Sequence, residues 1–536
     1  MIQDVTITLF SVEKADNIDE SLIQKNIAKQ LHCSENQING FTLKKKSLDA
    51  RHGKVKVHLK YTVYTEKDFP EKASGENFVP EYKNADGSKT VIVVGSGPAG
   101  LFSALRLLEA GIKPVVVERG NTAKERKRDI AQISRNHKIN GDSNYCFGEG
   151  GAGTFSDGKL FTRSVKRGSP ERIYRLFHYF GAPKEIITAS HPHIGSDLLP
   201  EIIHNMTCKI EEMGGQVLFN TKCTGFITDQ NASSKKRIVG IDTVNVITGE
   251  TSQIKGDAVI LATGHSAPDI YQLVEQLAPE ALEAKTFAVG VRVEHPRHVI
   301  DDIQYHGRQK KEKLPSAEYR LTTQVAERGV YSFCMCPGGL VVPSGSSDEG
   351  LVVNGMSPSS RSGRWSNAAI VVEIRPEDAA QIMNDQSSLA GLKLREKIEK
   401  LAKQEGKGQA APSQRLQDFL EGELSQDLPE SSYTPGLVSS RLDMWLPEHI
   451  SGRLKQGFVD FDKKMKGFIC PQALLIAPET RTSTPVRILR DKETYECTQI
   501  ENLFPAGEGS GYSGGIVSSA IDGEKTAESI IKKMNV

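Results

Sequence analysis

Six consecutive residues have the spacing of a loop that can hold the pyrophosphate of a dinucleotide. The loop consists of Gly95, Ser96, Gly97, Pro98, Ala99 and Gly100. Gly95 permits a sharp turn after a strand, Gly97 lets the backbone approach a phosphate, and Gly100 lets a helix pack closely on a strand. The helix that follows would direct the partial positive charge of its N terminus at the phosphates. Glu118 lies at about the 20-residue distance expected of a carboxylate that binds ribose hydroxyls.

A strand and a helix must position this loop, and the flanking residues have the required patterns. VIVV at 91–94 is an apolar run before the loop, and the residues after it repeat apolar side chains at helical spacing as far as the helix stop Gly111. A second apolar run then leads to Glu118. The segment from Val91 to Gly120 is therefore predicted to be one βαβ unit.

Glycine is concentrated in three parts of the chain. Of 536 residues 48 are glycine, and the windows 95–100, 148–158 and 507–515 contain 3, 5 and 5 of them. Glycine lets a backbone approach a ligand closely. We interpret the three windows as parts of one binding site.

The loop alone does not distinguish NAD from FAD, and two further segments favour FAD. AVILATG at 258–264 is a strand that ends in a turn of small residues, and LFPAGEGSGYSGGIVSSAIDG at 503–523 combines an acidic residue, a glycine-rich turn and a helix. With them the chain resembles the two-dinucleotide-binding-domain flavoproteins. It is more closely similar to an uncharacterised bacterial family of FAD-dependent dehydrogenases, described as NAD(FAD)-utilising.

Further segments carry this resemblance, which extends from about residue 85 to the C terminus, with the N-terminal residues similar more loosely. They are FGEGGAGTFSDGKL at 147–160, HPHIGSD at 191–197, FAVGVRVEHP at 287–296, CMCPGG at 334–339 and RTSTPVRILRD at 481–491. The resemblance implies FAD as the cofactor and an oxidoreductase as the class of protein.

The resemblance also implies roles for single residues in the adenosine half of the cofactor. The glycines of the 95–100 loop would hold the pyrophosphate and Glu118 the ribose. Arg119 and Arg128 would lie near the adenosine or the phosphates, and Cys223 would offer backbone groups to adenine. The small-residue turn that closes this half consists of Ala262, Thr263 and Gly264.

The flavin half is implied by the other two glycine-rich segments. The residues that would pass along the flavin are Gly151, Gly153, Thr154 and Ser156. Gly507 and Glu508 would meet the phosphate and the ribityl chain, although Asp is the commoner acid there and Glu508 is longer by one methylene. A helix predicted to begin near Gly514, Gly515 and Ile516 would stabilise negative charge on the reduced flavin ring.

The predicted fold class is α/β: a Rossmann-like FAD-binding domain with an inserted β-rich α+β substrate domain and a small N-terminal α+β domain. The N-terminal module is assigned to 1–70, and a polar linker follows at about 66–88. The FAD-binding domain is discontinuous, at 86–266 and 481–536, with the inserted domain at 267–480.

Charge and composition limit the partners. Lys and Arg total 68 against 67 Asp and Glu, a net charge of +1, so no overall field attracts nucleic acid or anionic lipid. The basic face of one N-terminal strand, with Lys54, Lys56, His58 and Lys60, could contact nucleic acid. Because no aromatic residues alternate with these side chains, a solvated sheet face is the favoured interpretation.

The expected partners are a small-molecule substrate and NAD(P)H as a transient reductant, with no membrane or nucleic-acid partner. No apolar run reaches the length of about 18 residues that a spanning helix needs. The lack of a leader after Met1 and the count of 8 cysteines indicate a reduced, cytoplasmic location.

Other residues have chemical potential but simpler structural interpretations. Cys334 and Cys336 would share one face of a strand, either as a redox pair beside the flavin or, as we favour from their narrow spacing, as two buried thiols. His191 and His193 lack ligand partners at metal spacing, so no metal site is expected. His265 follows the small-residue turn, where a structural hydrogen bond is favoured over catalysis.

Three arginines near the C terminus have two interpretations. Arg481, Arg487 and Arg490 could clamp an anionic substrate or pair with acids of the surrounding domain. The sequence does not separate these alternatives.

The predicted function is an FAD-dependent oxidoreductase that transfers hydride between an unidentified substrate and flavin, with the substrate between the two large domains. Only one Rossmann loop is evident, so NAD(P)H would bind transiently. The alternatives are a flavin monooxygenase, a reductase of an unsaturated bond, or a non-catalytic flavin-binding protein that recruits RNA or protein through its N-terminal module. No catalytic residue is identified.

Overall fold

A computed structural model describes residues 2–50, 55–65, 78–162, 168–229, 235–309 and 313–535. Lys54 and residues 66–77 of the expected linker lie outside the described residues. None of the helices in the described ranges is long and apolar enough to cross a membrane.

The N-terminal residues form a three-stranded antiparallel sheet covered by helices. Its elements are β1 (Ile2–Leu9), α1 (Val12–Asp16), α2 (Glu20–Leu31), β2 (Gly40–Asp49) and β3 (Lys56–Tyr64). The strand order is β1-β3-β2, and alternate residues of β3 such as Val57 and Leu59 are buried. On the opposite face, Asp4 Oδ2 lies 2.8 Å from Lys60 Nζ and 3.2 Å from Lys44 Nζ. This pairing supports a solvated sheet face.

The rest of the chain runs through three stretches of helices and strands. The first contains β4 (Thr90–Val94), α3 (Pro98–Glu109), β5 (Lys113–Val117), α4 (Ala123–Asn136), α5 (Pro170–Tyr179), α6 (Leu199–Glu212), β6 (Gln216–Leu218), β7 (Thr221–Thr228), β8 (Lys236–Asn245), β9 (Thr251–Lys255) and β10 (Ala258–Leu261).

The second stretch forms most of the C-terminal half. It contains α7 (Pro268–Leu277), β11 (Leu282–Ala284), β12 (Phe287–Pro296), α8 (Arg297–Tyr305), β13 (Thr322–Val325), β14 (Arg328–Cys336), β15 (Leu340–Pro343), β16 (Val353–Met356), β17 (Trp365–Ile374), α9 (Pro376–Met383), α10 (Ala390–Glu405), β18 (Ala411–Arg415), α11 (Leu416–Glu421), β19 (Leu437–Ser439), α12 (Leu442–Trp445), α13 (Glu448–Lys464), β20 (Leu474–Glu479) and β21 (Val486–Ile488). The third contains β22 (Ile500–Glu501), β23 (Leu503–Pro505) and α14 (Ile516–Lys533).

A five-stranded parallel sheet with the order β23-β10-β4-β5-β6 is the centre of the first large unit. The helices α3, α5, α6 and α14 share one core with one face of this sheet. The strands β7 and β8 and the helix α7 pack on the other face. Since both faces are covered, β4 and β10 are almost entirely apolar. The predicted βαβ unit and the Rossmann-like α/β class are confirmed.

A mostly antiparallel seven-stranded sheet is the centre of the second large unit. Its order is β13-β14-β17-β12-β20-β18-β19, and β12 pairs with β17 along ten residues, from Phe287 with Ile374 to Pro296 with Trp365. The helix α13 packs on this sheet through buried aromatic side chains such as Phe458 and Phe461. This unit is β-rich and α+β, as predicted.

Two short strands pair with each other where the chain enters and leaves the second unit. β11 pairs antiparallel with β21, from Leu282 with Ile488 to Ala284 with Val486. The exact domain boundaries at 266 and 481 stay a prediction.

The C-terminal segment closes the first unit through a buried ion pair. Arg490 Nη2 lies 2.5 Å from Asp522 Oδ1 on α14, and both side chains are buried. Asp522 Oδ2 also accepts the backbone N–H of Gly507 at 2.8 Å. The carboxylate therefore fixes the start of the third glycine-rich window to α14.

Replacement of Asp522 should destabilise this unit strongly. Asp522→Ala leaves Arg490 buried without its carboxylate, and we expect a loss of about 3–5 kcal/mol, measured as a lower midpoint of urea unfolding. Lys525→Ala on the same helix is the control, because its half-exposed pair with Glu528 contributes less than about 1 kcal/mol. An unchanged midpoint for Asp522→Ala would contradict this assignment.

Candidate functional site

A cavity of about 370 Å³ lies at the carboxyl ends of β4, β5 and β10. This end of a parallel sheet is where doubly wound folds bind ligands. The residues expected at the cofactor that line it are Gly95, Gly97, Pro98, Ala99, Glu118, Arg119, Gly151, Gly153, Ser156, Cys223, Ala262, Thr263, Gly264, Glu508, Gly514, Gly515 and Ile516. All three glycine windows therefore reach one cavity.

The 95–100 loop has the geometry that its glycines suggest. Gly95 has φ +103, and a Cβ there would lie 2.5 Å from the carbonyl oxygen of Ala262. A Cβ on Gly97 would meet no atom within 4 Å, because this position opens into the cavity. The helix α3 begins directly after Gly97 with no side-chain cap, so its first N–H groups are free of a side-chain acceptor. The loop is a cradle for an anion.

The carboxylate of Glu118 joins this loop to the second glycine window. Its Oε2 accepts the backbone N–H of Ser96 at 3.0 Å and the Ser96 hydroxyl at 2.8 Å. Its Oε1 accepts the N–H of Gly148 at 2.9 Å and that of Gly120 at 3.1 Å. Ser96 itself is buried and does not line the cavity. Glu118 thus forms part of the cavity wall and also holds that wall together.

The two arginines expected near the adenosine differ in position. Arg119 lines the cavity, where its guanidinium lies 2.7 Å from Asp269 Oδ2 and 4.4 Å from the centre of the Phe147 ring. Arg128 lies on the exposed face of α4, outside the cavity lining. The buried arginine of this helix is Arg126, which donates to three backbone carbonyls of residues 144, 145 and 149.

The remaining expected residues support the wall from behind. Gly100 packs against the backbone of Gly95, so a side chain there would clash. The hydroxyl of Thr154 donates to the carbonyl of Glu149 at 2.7 Å, and the N–H of Gly507 is bonded to Asp522. None of these three residues lines the cavity.

The start of α14 is open to the cavity. Gly515 has φ +106, and a Cβ on Gly514 or Gly515 would meet no atom within 4 Å. The helix has no side-chain cap at this end. Its N-terminal N–H groups are therefore available to a negatively charged ligand.

Burial changes the protonation of two groups in the wall. It raises the pKa of Glu508 to about 7, opposed by Lys285 and reinforced by Cys334. Burial, together with Arg395 and Arg481, lowers the pKa of His265 to about 3. Glu508 Oε1 lies 3.8 Å from His265 Nε2. Near neutral pH the imidazole is thus uncharged, and the carboxyl group titrates.

Several residues of the lining were not found from the sequence. They are Cys146, Phe147, Asp157, Lys159 and Phe161 beside the second glycine window, and Phe333, Asn354 and Thr482 further along the chain. The first group lies next to a recognisable glycine run in the sequence, which was an available signal. Phe333 and Asn354 have no such signal, because only the fold of the second unit brings them here.

The three C-terminal arginines are paired with protein carboxylates. Arg481 Nη2 lies 2.8 Å from Glu399, and Arg487 Nη1 lies 2.8 Å from Glu283. With Arg490 bonded to Asp522, this favours the pairing alternative over a substrate clamp. Arg481 still lines the cavity, and it donates to the Cys146 sulfur at 3.3 Å.

The histidines of the 191–197 segment make local contacts. His193 Nε2 lies 2.9 Å from the carbonyl oxygen of Ser359, and His191 Nδ1 lies 3.6 Å from Glu318. Within the described ranges no group of three or more His, Cys, Asp or Glu residues is arranged to hold a metal ion.

Comparison with known families agrees with this site. The family of FAD-dependent proteins defined by a C-terminal-domain-like region matches residues 286–482, and an FAD binding domain matches residues 88–140. A domain of unknown function matches residues 1–64. A Clostridium beijerinckii protein described as uncharacterized is 38% identical over 535 residues, covering 97% of each chain. The chain belongs to this bacterial family of FAD-dependent proteins.

The solved structures recorded as similar are distant. Glycerol-3-phosphate dehydrogenase from Bacillus halodurans, complexed with FAD, has 11% identity and a TM-score of 0.36, covering 84% of this chain and 66% of its own. Sdh1 from Mycobacterium smegmatis, in complex with UQ1, has 16% identity and a TM-score of 0.35, and the match covers 84% of this chain and 70% of Sdh1. THI4 from Thermovibrio ammonificans has 16% identity and a TM-score of 0.25, and the match covers 35% of this chain and 62% of THI4. Such low scores say nothing about function.

The cofactor of the protein is FAD, as predicted. The family assigns it, and the cavity fits it: Gly97 leaves room for a pyrophosphate, and the uncapped N termini of α3 and α14 both reach the cavity, where they would favour a dinucleotide anion. The protein is therefore an FAD-dependent protein of this family.

A negative charge at the start of α14 should weaken FAD binding. Gly515→Asp places a carboxylate in the open cavity beside the helix N terminus, and we expect at least about tenfold weaker binding of FAD, measured by fluorescence titration of apoprotein. Gly249→Asp is the matched control, because Gly249 also has a positive φ, +74, and no atom within 4 Å of a Cβ, yet lies outside the cavity lining. Equal affinity of the two variants would refute the placement.

FAD affinity should fall as pH rises through about 7. Because the pKa of Glu508 is raised to about 7, its carboxyl group is neutral below this pH and adds a negative charge to the cavity wall above it. We expect the dissociation constant to increase by at most about tenfold per pH unit above pH 7. Glu508→Gln should remove this dependence, whereas Glu493→Gln on the exposed surface should keep it. A pH-independent wild-type affinity would contradict the assignment.

Proposed function

We propose that the protein is a dehydrogenase or reductase in which hydride passes between an organic substrate and FAD held in this cavity. The observation that carries the proposal is that one cavity is lined both by the dinucleotide loop and by side chains of the second large unit, Phe333, Cys334 and Asn354. A substrate that enters between the two units would therefore meet the cofactor.

The residues of the chain have distinct tasks in this proposal. FAD supplies a group that accepts or donates hydride when bound. The loop at 95–100 orients the dinucleotide, and the N terminus of α14 stabilises negative charge that develops on reduction. Glu508, with its pKa near neutrality, is suited to hold or release a proton at its carboxyl oxygen.

Two aromatic side chains mark where a substrate would enter. Phe161 and Phe333 line the cavity yet remain 51% and 40% exposed. Exposed aromatic side chains at a cavity favour contact with an apolar or aromatic portion of a ligand. A small molecule, including NAD(P)H as a transient hydride donor, is the partner that we propose.

The N-terminal lysines give little support to an RNA partner. Lys44 and Lys60 pair with Asp4, and Lys46 pairs with Asp16. The N-terminal module contacts the first large unit, where the N–H of Lys46 donates to the carbonyl of Thr188 at 2.8 Å. We therefore propose a catalytic protein rather than a flavin-dependent recruiting protein.

Anaerobic stopped-flow mixing tests the proposal. The FAD-loaded protein should lose its flavin absorbance when mixed with NADH or NADPH, at a rate that saturates with nicotinamide concentration. FAD free in the same buffer is the control for direct reduction. If dithionite reduces the bound FAD while neither nicotinamide does so faster than with free FAD, the proposed role of NAD(P)H is wrong.

A further inference from the structure

The segment Cys334, Met335 and Cys336 has an unusual backbone at the cavity. The pairing of β14 with β17 shifts register between Phe333 and Cys336, which marks a bulge. Cys334 has φ +42, in the left-handed region that a non-glycine residue seldom adopts. Such bulges redirect side chains, and they are common next to active sites. Here Cys334 lines the cavity, whereas Cys336 is buried.

Both cysteines are free thiols and contact each other. The Cys336 thiol lies 3.3 Å from the carbonyl oxygen of Cys334, to which it can donate. Interaction with Cys336 lowers the pKa of Cys334, and interaction with Cys334 raises the pKa of Cys336. Of the two sulfurs, Cys334 is thus the one that more readily forms a thiolate, while Cys336 keeps its proton. Thiol–disulfide exchange requires this division of roles.

Two cations contact the segment. Lys159, which lines the cavity, donates through Nζ to the carbonyl of Met335. Arg292 is fully buried, with Nη1 at 3.4 Å from the carbonyl oxygen of Cys334 and 3.9 Å from the Cys336 sulfur. Their charges also favour the Cys334 thiolate.

Arg292 is itself rigidly positioned. Its Nε donates to Glu479 at 2.9 Å, and its Nη1 donates to Asn367 Oδ1 at 2.5 Å. A buried cation that is bonded to a carboxylate and an amide has little freedom to move, so the charge of Arg292 stays beside the two cysteines.

Burial alone would raise the pKa of a cysteine thiol rather than lower it, as another cysteine of the same cavity shows. Cys223 also lines the cavity, and burial raises the pKa of its thiol to about 12. At Cys223 the effect of burial exceeds that of the nearby Arg119, whereas at Cys334 the second cysteine, Lys159 and Arg292 together exceed it.

Cys334 belongs to the second unit and lines the same cavity as Glu508, the residue expected at the ribityl chain. The charge of Cys334 contributes to the raised pKa of Glu508. Glu118 and Cys223, the residues expected at the adenosine, belong to the parallel-sheet unit. The second unit thus contributes Cys334 to the wall of the cavity that would hold FAD.

We propose that Cys334 and Cys336 form a redox pair that takes two electrons from reduced FAD and passes them to a disulfide substrate. This deepens the proposed function, on which it rests, by naming the class of the final electron acceptor. FAD would receive hydride from an organic donor, and the two cysteines would pass the electron pair on to the disulfide substrate.

The steps balance. In the oxidised pair, the bond between the two sulfurs accepts two electrons and one proton from reduced FAD and breaks, which leaves Cys334 as thiolate and Cys336 as thiol. The Cys334 thiolate then attacks a disulfide, whose S–S bond breaks as a mixed disulfide forms and a substrate thiolate leaves. Cys336 loses its proton and attacks the Cys334 sulfur, which releases the second substrate thiolate and restores the disulfide.

Reductive titration of the FAD-loaded protein tests the pair without an activity assay. After oxidation with diamide and removal of the reagent, the wild type should take up four electrons per FAD from dithionite. Cys334→Ser and Cys336→Ser should take up two, because only FAD remains to be reduced. Cys208→Ser, at an exposed thiol outside the cavity lining, should still take up four.

The disulfide substrate is tested with the probe 5,5′-dithiobis(2-nitrobenzoate). Cys336→Ser should trap a mixed disulfide between Cys334 and the probe, located by peptide mass spectrometry, because the second thiol that would resolve it is missing. Lys159→Gln should slow iodoacetamide alkylation of Cys334 near pH 6 by up to about tenfold, through a higher pKa of this thiol. Alkylation of Cys208 in the same sample is the internal control.

The failure of this proposal is distinct from the failure of the proposed function. If the wild type takes up only two electrons and Cys334 remains open to alkylation after diamide, the redox pair is wrong, although FAD reduction by NAD(P)H stands. Absence of the probe adduct from Cys334 would refute the disulfide substrate. Loss of FAD reduction by nicotinamide, with four-electron uptake from dithionite retained, would overturn only the proposed donor.

Discussion

A buried carboxylate that collects backbone N–H groups is the constraint on which the cofactor cavity depends. Glu118 accepts bonds from Ser96, Gly120 and Gly148, residues that come from the dinucleotide loop, the end of β5 and the second glycine window. Asp522 does the same for the third window by accepting the N–H of Gly507. Without these acceptors, several buried donors would lose their partners, and the glycine segments would not be held against one another.

The second large unit adds chemistry that the Rossmann-like unit lacks. Its antiparallel sheet provides the bulge at Cys334, and Arg292 beside it supplies a buried charge. The loop after the second glycine window supplies Lys159, which contacts the same segment. A site shared by two units in this way can combine a binding surface for a dinucleotide with reactive side chains that the dinucleotide fold does not itself provide.

Features that depend on the residues of one short segment could be predicted from the sequence. The βαβ unit, its helix stop and the uncapped helix at Gly97 depend on residues within one segment, and the α/β class followed from them. The β-rich character of the second unit was also readable from its apolar runs. The partners of charged side chains were not: Arg481, Arg487 and Arg490 bind Glu399, Glu283 and Asp522, of which only Asp522 is near in sequence.

The sequence by itself determined that the chain holds a dinucleotide, because glycine spacing encodes where a backbone can approach a phosphate. Only the tertiary structure decided which glycines line the cavity and which, like Gly100 and Gly507, support its wall. It also decided the surroundings of the two cysteines. Their spacing favoured two buried thiols, but folding leaves Cys334 at the cavity and brings Lys159 and Arg292 to it from distant segments, and these charges lower the pKa of its thiol.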